Sequence, residues 1–157
     1  MKSKIHEFQN QKNNVMSKKQ FSILAVFVAL FALATTISSC EKDEGKKPNI
    51  SFKVASGYTS GDVSIASTDS VLIGIVASKS EGEDVLKTLN ISASVNGGTA
   101  TTVANGQITI PTAMEDNFAG EYTFHPAATT GNTIKYTFTV TNRDGITNAV
   151  SLTVTTN

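Results

Sequence analysis

Apolar and polar residues alternate along most of the chain from residue 48 onward, which is the pattern of half-buried β-strands. The alternation is strictest in residues 134–140 and 150–154, which flank the turn sequence Asn-Arg-Asp-Gly and predict a hairpin. Residues 71–77 are almost wholly apolar, as in a central strand that carries much of the core. Weaker signals predict further short strands at residues 50–54, 63–65, 89–95, 99–103, 107–110 and 122–124.

Turn signals separate these strands roughly every 8–12 residues. Asn96-Gly97-Gly98 indicates a tight hairpin, and Asn105-Gly106 indicates a second turn between two weak strands. Helix is supported only in residues 80–89, where Gly82 weakens it. Seven or eight short strands in about 110 residues predict an all-β domain, a single β-sandwich spanning residues 49–157.

The N-terminal segment follows a different pattern. Lys18 and Lys19 precede an uncharged apolar run at residues 21–34. The run has the length of a signal-peptide core and is shorter than the about 20 residues that span a bilayer. We therefore expect a signal peptide in residues 1–39, with Met16 as the candidate start.

The apolar run leads into Ile-Ser-Ser-Cys, which ends at Cys40, the only cysteine of the chain. This tetrapeptide resembles the lipobox of bacterial lipoproteins, in which the cysteine carries two or three acyl chains. Two or more chains hold a protein stably on a membrane, whereas one holds it only marginally. The resemblance implies a lipid anchor on Cys40; the alternative is an uncleaved signal anchor with an incidental cysteine.

Residues 40–48 continue as Cys-Glu-Lys-Asp-Glu-Gly-Lys-Lys-Pro, a charged stretch that we interpret as a solvated tether. Lys42, Asp43 and Glu44 resemble the export signal of Bacteroidetes surface lipoproteins, which follows the lipidated cysteine. The resemblance implies that the protein is lipid-anchored in the outer membrane and faces the cell exterior. The periplasmic face is the alternative location.

Charge excludes one class of partner. Residues 1–39 hold five of the 13 basic residues and one of the 13 acidic residues, which leaves a formal net charge of −4 for residues 40–157. This remainder has no cluster of lysine or arginine, so we expect no binding to nucleic acid.

The predicted final hairpin carries a family resemblance. Its sequence Tyr-Thr-Phe-Thr-Val-Thr-Asn-Arg-Asp-Gly, at residues 136–145, resembles the closing strands of immunoglobulin-like domains of the PKD and fibronectin III type. With Ile-Ser-Phe at 50–52 and Gly-Tyr-Thr-Ser-Gly at 57–61, the chain is similar to small immunoglobulin-like lipoproteins of Bacteroidetes. The resemblance implies the sandwich fold and no particular ligand.

Side chains suited to catalysis are scarce after residue 39. His125 is the only histidine there, and its surroundings suggest neither a triad nor a zinc site. The acidic groups at residues 81–84 and 115–116 match no calcium-loop spacing, and we interpret them as solvated loops. We therefore expect no enzyme activity, no metal and no cofactor.

Two aromatic residues are candidates for ligand contact. Phe118 and Tyr58 lie in polar or glycine-rich surroundings and are candidate stacking platforms for a glycan, although Phe118 could instead fold back as a plug. Asp69-Ser70-Val71 resembles the Bacteroidetes O-glycosylation acceptor, which makes Ser70 a candidate site. Two functions remain open: a surface binding or accessory module for a glycan, a peptide or an outer-membrane protein complex, or a structural part assembled by edge-strand pairing.

Overall fold

Eight β-strands account for most of residues 45–126 and 129–157, which are the residues that this computed structural model describes. The predicted lipidation site at Cys40 and the predicted export signal at Lys42, Asp43 and Glu44 lie outside the described residues. The strands, in chain order, are β1 (Asn49–Phe52), β2 (Val63–Ile65), β3 (Val71–Ser78), β4 (Leu86–Val95), β5 (Thr101–Thr109), β6 (Asn117–Phe124), β7 (Thr133–Asn142) and β8 (Thr147–Thr156).

The strands form two sheets that face each other as an immunoglobulin-like sandwich, which confirms the predicted fold class. One sheet has three strands in the order β1-β3-β6, and the other has five in the order β2-β8-β7-β4-β5. All neighbouring strands run antiparallel except β2 and β8, which run parallel. The only helical element in the described part of the chain is a short 3₁₀ turn at Thr112–Met114, between β5 and β6.

The strand directions divide the connections between two ends of the sandwich. Residues 45–48, the loops at 79–85 and 110–116, and the turn at 143–146 lie at the end where β1 begins, which we call the entry pole. The connections at 53–62, 66–70 and 96–100, and residues 125–126 and 129–132, lie at the other end, the loop pole.

Side chains from both sheets meet in one core because period-two alternation turns every second residue inward. Phe138 of β7 is fully buried at its centre. Its ring lies 6.0 Å from Phe52, 5.9 Å from Tyr122 and 6.1 Å from Phe124, measured between ring centroids. Since these three residues belong to the three-stranded sheet, Phe138 is the main aromatic link between the two layers.

One sequence prediction about the chain path is wrong. Asn105-Gly106 makes no turn between two strands; β5 runs through it as one strand with a bulge, in which residues 103–106 stand opposite Ile91. Asn105 takes a φ of 57°, which an asparagine tolerates better than most residues. The positive φ that the sequence pattern assigned to a turn therefore occurs in a bulge within one strand.

The C-terminal end of the predicted tether contacts the domain. Pro48 is buried, and its carbonyl oxygen accepts a 2.8 Å hydrogen bond from Asn148 Nδ2. Lys46 Nζ lies 3.4 Å from Glu81 Oε1, and the Ser80 hydroxyl donates to the Lys47 carbonyl oxygen. Residues 46–48 thus belong to the domain surface at the entry pole.

Candidate functional site

The outer face of the three-stranded sheet carries the most distinctive polar arrangement among the described residues. Its outward residues form rows across the strands, since each pairs with its neighbour in register. One row is Asn49, Ser78 and Asn117. The next, toward the loop pole, consists of the small residues Ser51, Val76 and Ala119.

Beyond the small residues, Lys53, Tyr58 and Glu121 form a hydrogen-bonded cluster. Lys53 Nζ donates to Glu121 Oε1 at 2.7 Å and to Tyr58 Oη at 2.9 Å. Tyr58 Oη donates to the same carboxylate oxygen at 2.5 Å, and the Lys53 ammonium lies 4.2 Å from the centroid of the tyrosine ring. The ammonium, hydroxyl and carboxylate groups are therefore all hydrogen-bonded to one another.

The cluster shifts the titration of both charged members. The hydrogen bond from Lys53, followed by that from Tyr58, lowers the pKa of the Glu121 carboxyl group below its usual 4.5. The bond to Glu121 and then that to Tyr58 raise the pKa of Lys53 above its usual 10.5. The ion pair is exposed to solvent, so its contribution to stability is screened.

Gly74 of β3 is what allows the cluster to lie flat on the sheet. A β-carbon at this position would lie 2.7 Å from Lys53 Cβ and 2.9 Å from Tyr58 Cδ1. Tyr58, a predicted ligand contact, is thus packed against Gly74 and hydrogen-bonded to its neighbours. Its ring is not a free stacking platform in this arrangement.

Phe118, the other predicted contact, is 6% exposed and belongs to the core. It begins the inward series of β6, so its side chain turns away from the loop that precedes it. The expectation of an exposed platform at Phe118 is therefore wrong, and the plug alternative describes its position. Phe118 also contributes to the wall of a cleft of about 640 Å³ near the entry pole, together with Met114 and Asn148.

A second cleft opens along the side of the sandwich, between the edge of β6 and the bulge of β5. We call it the lateral cleft; its volume is about 440 Å³. Its apolar lining includes partly exposed side chains from both sheets: Val103, Ile108, Tyr122 and Phe124. Burial raises the pKa of the Tyr122 hydroxyl. Sequence reasoning missed this cleft, since β5 and β6 belong to different sheets and their residues come together only where the two sheets pack face to face.

The other positions considered in the sequence are Ser70 and the acidic loops. Ser70 is exposed just before β3, while its neighbour Val71 is buried. The acidic loops are not merely solvated: Asp84 is 3% exposed and accepts a 2.6 Å hydrogen bond from Asn142 Nδ2. Glu115 Oε1 lies 2.6 Å from Lys87 Nζ.

The described residues hold neither a metal cluster nor a membrane-spanning helix. Within residues 45–126 and 129–157, no group of three or more His, Cys, Asp or Glu side chains could hold a metal ion. Over the same residues, no helix has the length and apolar character needed to cross a membrane.

Comparison with known proteins gives no family assignment. No family model and no curated protein matches the chain. Among solved structures, the crystal structure of Spo0M, a sporulation control protein from Bacillus subtilis, aligns with a TM-score of 0.41 and 9% sequence identity. That alignment covers 71% of this chain and 49% of Spo0M, so the chain spans about half the length of that structure.

Proposed function

We propose that this protein is a non-catalytic accessory protein that is lipid-anchored through Cys40 on the outer face of the outer membrane and binds a protein partner there. The observation that carries the proposal is the separation of the two poles. The segment that follows the predicted lipidation site joins the domain at the entry pole, whereas four connections lie at the loop pole.

The entry-pole contacts support this orientation. Pro48, Lys47 and Lys46 each contact a partner in the domain, so the chain runs along the domain from residue 46 onward. Only residues 41–45 then remain as a leash, which reaches about 18 Å when fully extended. A leash of this length keeps the entry pole beside the membrane and leaves the loop pole and the sheet edges toward the outside.

The choice of a protein partner over a glycan follows from the two candidate aromatic residues. Phe118 lies in the core, and Tyr58 is occupied by Gly74, Lys53 and Glu121. Stacking on a sugar needs an accessible ring face, and neither residue offers one in this arrangement. The open edge of β6 and the adjacent lateral cleft instead offer backbone groups and apolar side chains, which suit a polypeptide.

Assembly into a larger surface structure by edge-strand pairing is the second candidate function. The observation in its favour is the same edge of β6, which has no neighbouring strand. The two functions differ in the partner: an accessory module binds a different protein, whereas a repeating surface structure requires copies of this chain.

Replacing Cys40 by alanine tests the anchor. We expect the Cys40→Ala protein to remain unprocessed or to be released from the membrane fraction, because the acyl chains have no attachment site. Fractionation and mass spectrometry of the N-terminus measure both results. A normally cleaved and membrane-bound Cys40→Ala protein would contradict the lipoprotein assignment.

Surface exposure has its own test. Replacing Lys42, Asp43 and Glu44 together by alanine is expected to reduce labelling of intact cells while membrane attachment persists. A cysteine introduced at Thr99, exposed at the loop pole, provides the site for an impermeant maleimide. Equal labelling with and without the triple alanine substitution would show that the segment is only a tether.

The protein-partner assignment is tested against glycans directly. We expect no saturable binding of outer-membrane oligosaccharides to the purified full chain, and no effect of Tyr58→Ala on any residual binding. Glycan binding that is lost in Tyr58→Ala and retained in Tyr58→Phe would overturn the choice of a protein partner.

A further inference from the structure

The exposed strand edges of the sandwich differ in how they are protected against pairing with another chain. β1 has four residues and follows Pro48, and β2 has only three residues. β5 is interrupted by its bulge. On β8, the N–H of Thr153 donates to Asp62 Oδ1 at 2.7 Å, which caps the part of that edge next to β2. Short strands, prolines, bulges and side-chain caps are the usual ways to block an edge.

β6 has none of these devices. It runs for eight residues, pairs with β3 without a register shift, and contains neither proline nor lysine. Within residues 45–126 and 129–157, no strand pairs with its second side. The longest uninterrupted edge of the three-stranded sheet is therefore left open.

The hydrogen bonds of β3 identify which groups of β6 are free. The Gly74 carbonyl accepts from the N–H of Lys53, so the even-numbered residues of β3 face β1 and the odd-numbered ones face β6. Through the register, Phe118, Gly120 and Tyr122 then bond to β3. The backbone groups of Ala119, Glu121 and Thr123 face outward, and their N–H groups have no hydrogen-bond partner within the described part of the chain.

The lateral cleft lies directly beside this edge. A strand added to β6 would alternate its side chains between the outer face and the interior. The inward ones would enter the cleft next to Tyr122 and Phe124, across from Val103 and Ile108 of β5. A volume of about 440 Å³ accommodates two or so apolar side chains.

The electrostatic surroundings define the added strand further. Glu121 is the only charged residue that lines the described part of the cleft, and its carboxylate is already paired with Lys53 and Tyr58. An incoming charge would lose its hydration without gaining a partner there. The inward positions of the strand must therefore be apolar.

We propose that β6 accepts a ninth strand from a partner protein: an extended segment with apolar residues at the alternate, inward-facing positions, which bonds to Ala119, Glu121 and Thr123 and fills the lateral cleft. This inference rests on the proposed function in one respect, that the partner is a protein. The β6 strand of a second copy would not fill the cleft, because its inward side chains Phe118, Tyr122 and Phe124 already pack against the core of that copy.

The experiment measures the binding of a fluorescent synthetic peptide, Lys-Thr-Val-Thr-Phe-Thr-Val-Thr-Lys, to the purified full chain in detergent. Ala119→Pro is the key variant, because proline removes an edge N–H without removing a bond to β3. We expect the variant to keep its strand content and melting temperature and to bind the peptide at least tenfold more weakly. Ala119→Val keeps the N–H and serves as the matched control, with binding within twofold of the wild type.

A second peptide keeps the test decisive if Ala119→Pro does not fold. The same sequence with N-methyl groups on alternate amides loses the donors of one strand edge. Methylation on the edge that meets β6 is expected to abolish binding to the wild-type chain, whereas methylation on the other edge preserves it. Equal affinity of the two methylated peptides, or no binding of the unmodified peptide, would overturn strand addition.

Light scattering distinguishes the two kinds of occupant. Concentration-dependent dimers of the wild-type chain that disappear in Ala119→Pro would overturn the proposal of a partner protein in favour of a second copy. The Cys40→Ala and labelling experiments are independent of this edge, so failure of the anchor and failure of strand addition give different results.

Discussion

The two sheets differ in strand length, and the difference separates stability from interaction. In the five-stranded sheet, β4, β7 and β8 each have ten residues, and they pair with one another in long ladders. The three-stranded sheet has shorter strands, but it carries the Lys53–Tyr58–Glu121 cluster and the open edge of β6. The long ladders of the five-stranded sheet can hold the fold, while the three-stranded sheet leaves the backbone groups at the edge of β6 available for a partner.

Both sheets nevertheless share one core, so the separation applies to their outer faces and edges rather than to their interiors. Substitutions at the shared core should affect the whole domain. Substitutions on the outer face of the three-stranded sheet should leave the fold nearly unchanged. The following predictions test that distinction, from the largest expected effect to the smallest.

Phe138→Ala removes the ring that links the two layers. Because Phe138 is fully buried and contacts three aromatic rings of the opposite sheet, we expect the free energy of unfolding to fall by about 3–5 kcal/mol. Urea denaturation followed by circular dichroism measures the change. Thr139→Ala, on the opposite side of the same strand, is the control and should cost less than about 1 kcal/mol.

Asn142→Ala tests the end of the five-stranded sheet at the entry pole. Asn142 donates to the buried Asp84, and its own side-chain oxygen accepts from the Ile146 N–H at 2.7 Å. Its removal leaves a buried carboxylate with fewer partners, so we expect a loss of about 3 kcal/mol. Asn90→Ala breaks only an exposed hydrogen bond to Thr102 and should change stability by less than about 1 kcal/mol. Equal effects would show that the buried pair has no special role.

Gly106→Ala tests the bulge that protects the edge of β5. A β-carbon there would lie 2.6 Å from the Ile91 carbonyl oxygen and 2.9 Å from that of Val103. Backbone atoms cannot yield as a flexible side chain does, so we expect a cost of about 1–3 kcal/mol. Gly61→Ala, where the added carbon meets open space, should leave the melting temperature nearly unchanged.

Glu121→Gln should have the smallest effect, and that effect should depend on pH. A lowered pKa means that the Glu121 contribution is present above pH 4.5 and is lost as the pH falls through the folded-state value. The raised pKa of Lys53 means that its contribution is present below pH 10.5 and is lost as the pH rises above it. Urea midpoints of wild type and variant should therefore differ slightly at neutral pH and converge as the pH falls through the folded-state pKa of Glu121. Glu83→Gln, an exposed control, should show no such convergence.

Sequence patterns predicted the strictly alternating strands β7 and β8 better than the position of Phe118. The alternation at 134–140 and 150–154 corresponds to β7 and β8, because a strand buried on one face must repeat every two residues. Phe118 was harder to assign, since the polar and small residues around it resemble a loop. Only the pairing of β6 with β3 turns it inward.

The cluster on the outer face had no signal in the sequence. Lys53 and Glu121 are 68 positions apart, and they meet only because β1 and β6 flank β3. Asn105-Gly106 is the opposite case: the sequence carries a strong local turn signal there, but the structure has a bulge within one strand. Local chemistry does not determine whether the chain reverses or continues; the neighbouring strand does.

The position of residues 45–48 also has a mechanical consequence. Under the proposed anchor at Cys40, a pull on the N-terminal end of the domain draws β1 lengthwise past β3, because β1 begins at the entry pole directly after Pro48. The hydrogen bonds between β1 and β3 lie across that direction, so they are loaded together in shear rather than opened one after another. The contacts of Lys46 and Lys47 would give way first. A domain attached in this way resists force from flow or from a bound partner until the whole β1–β3 ladder slips.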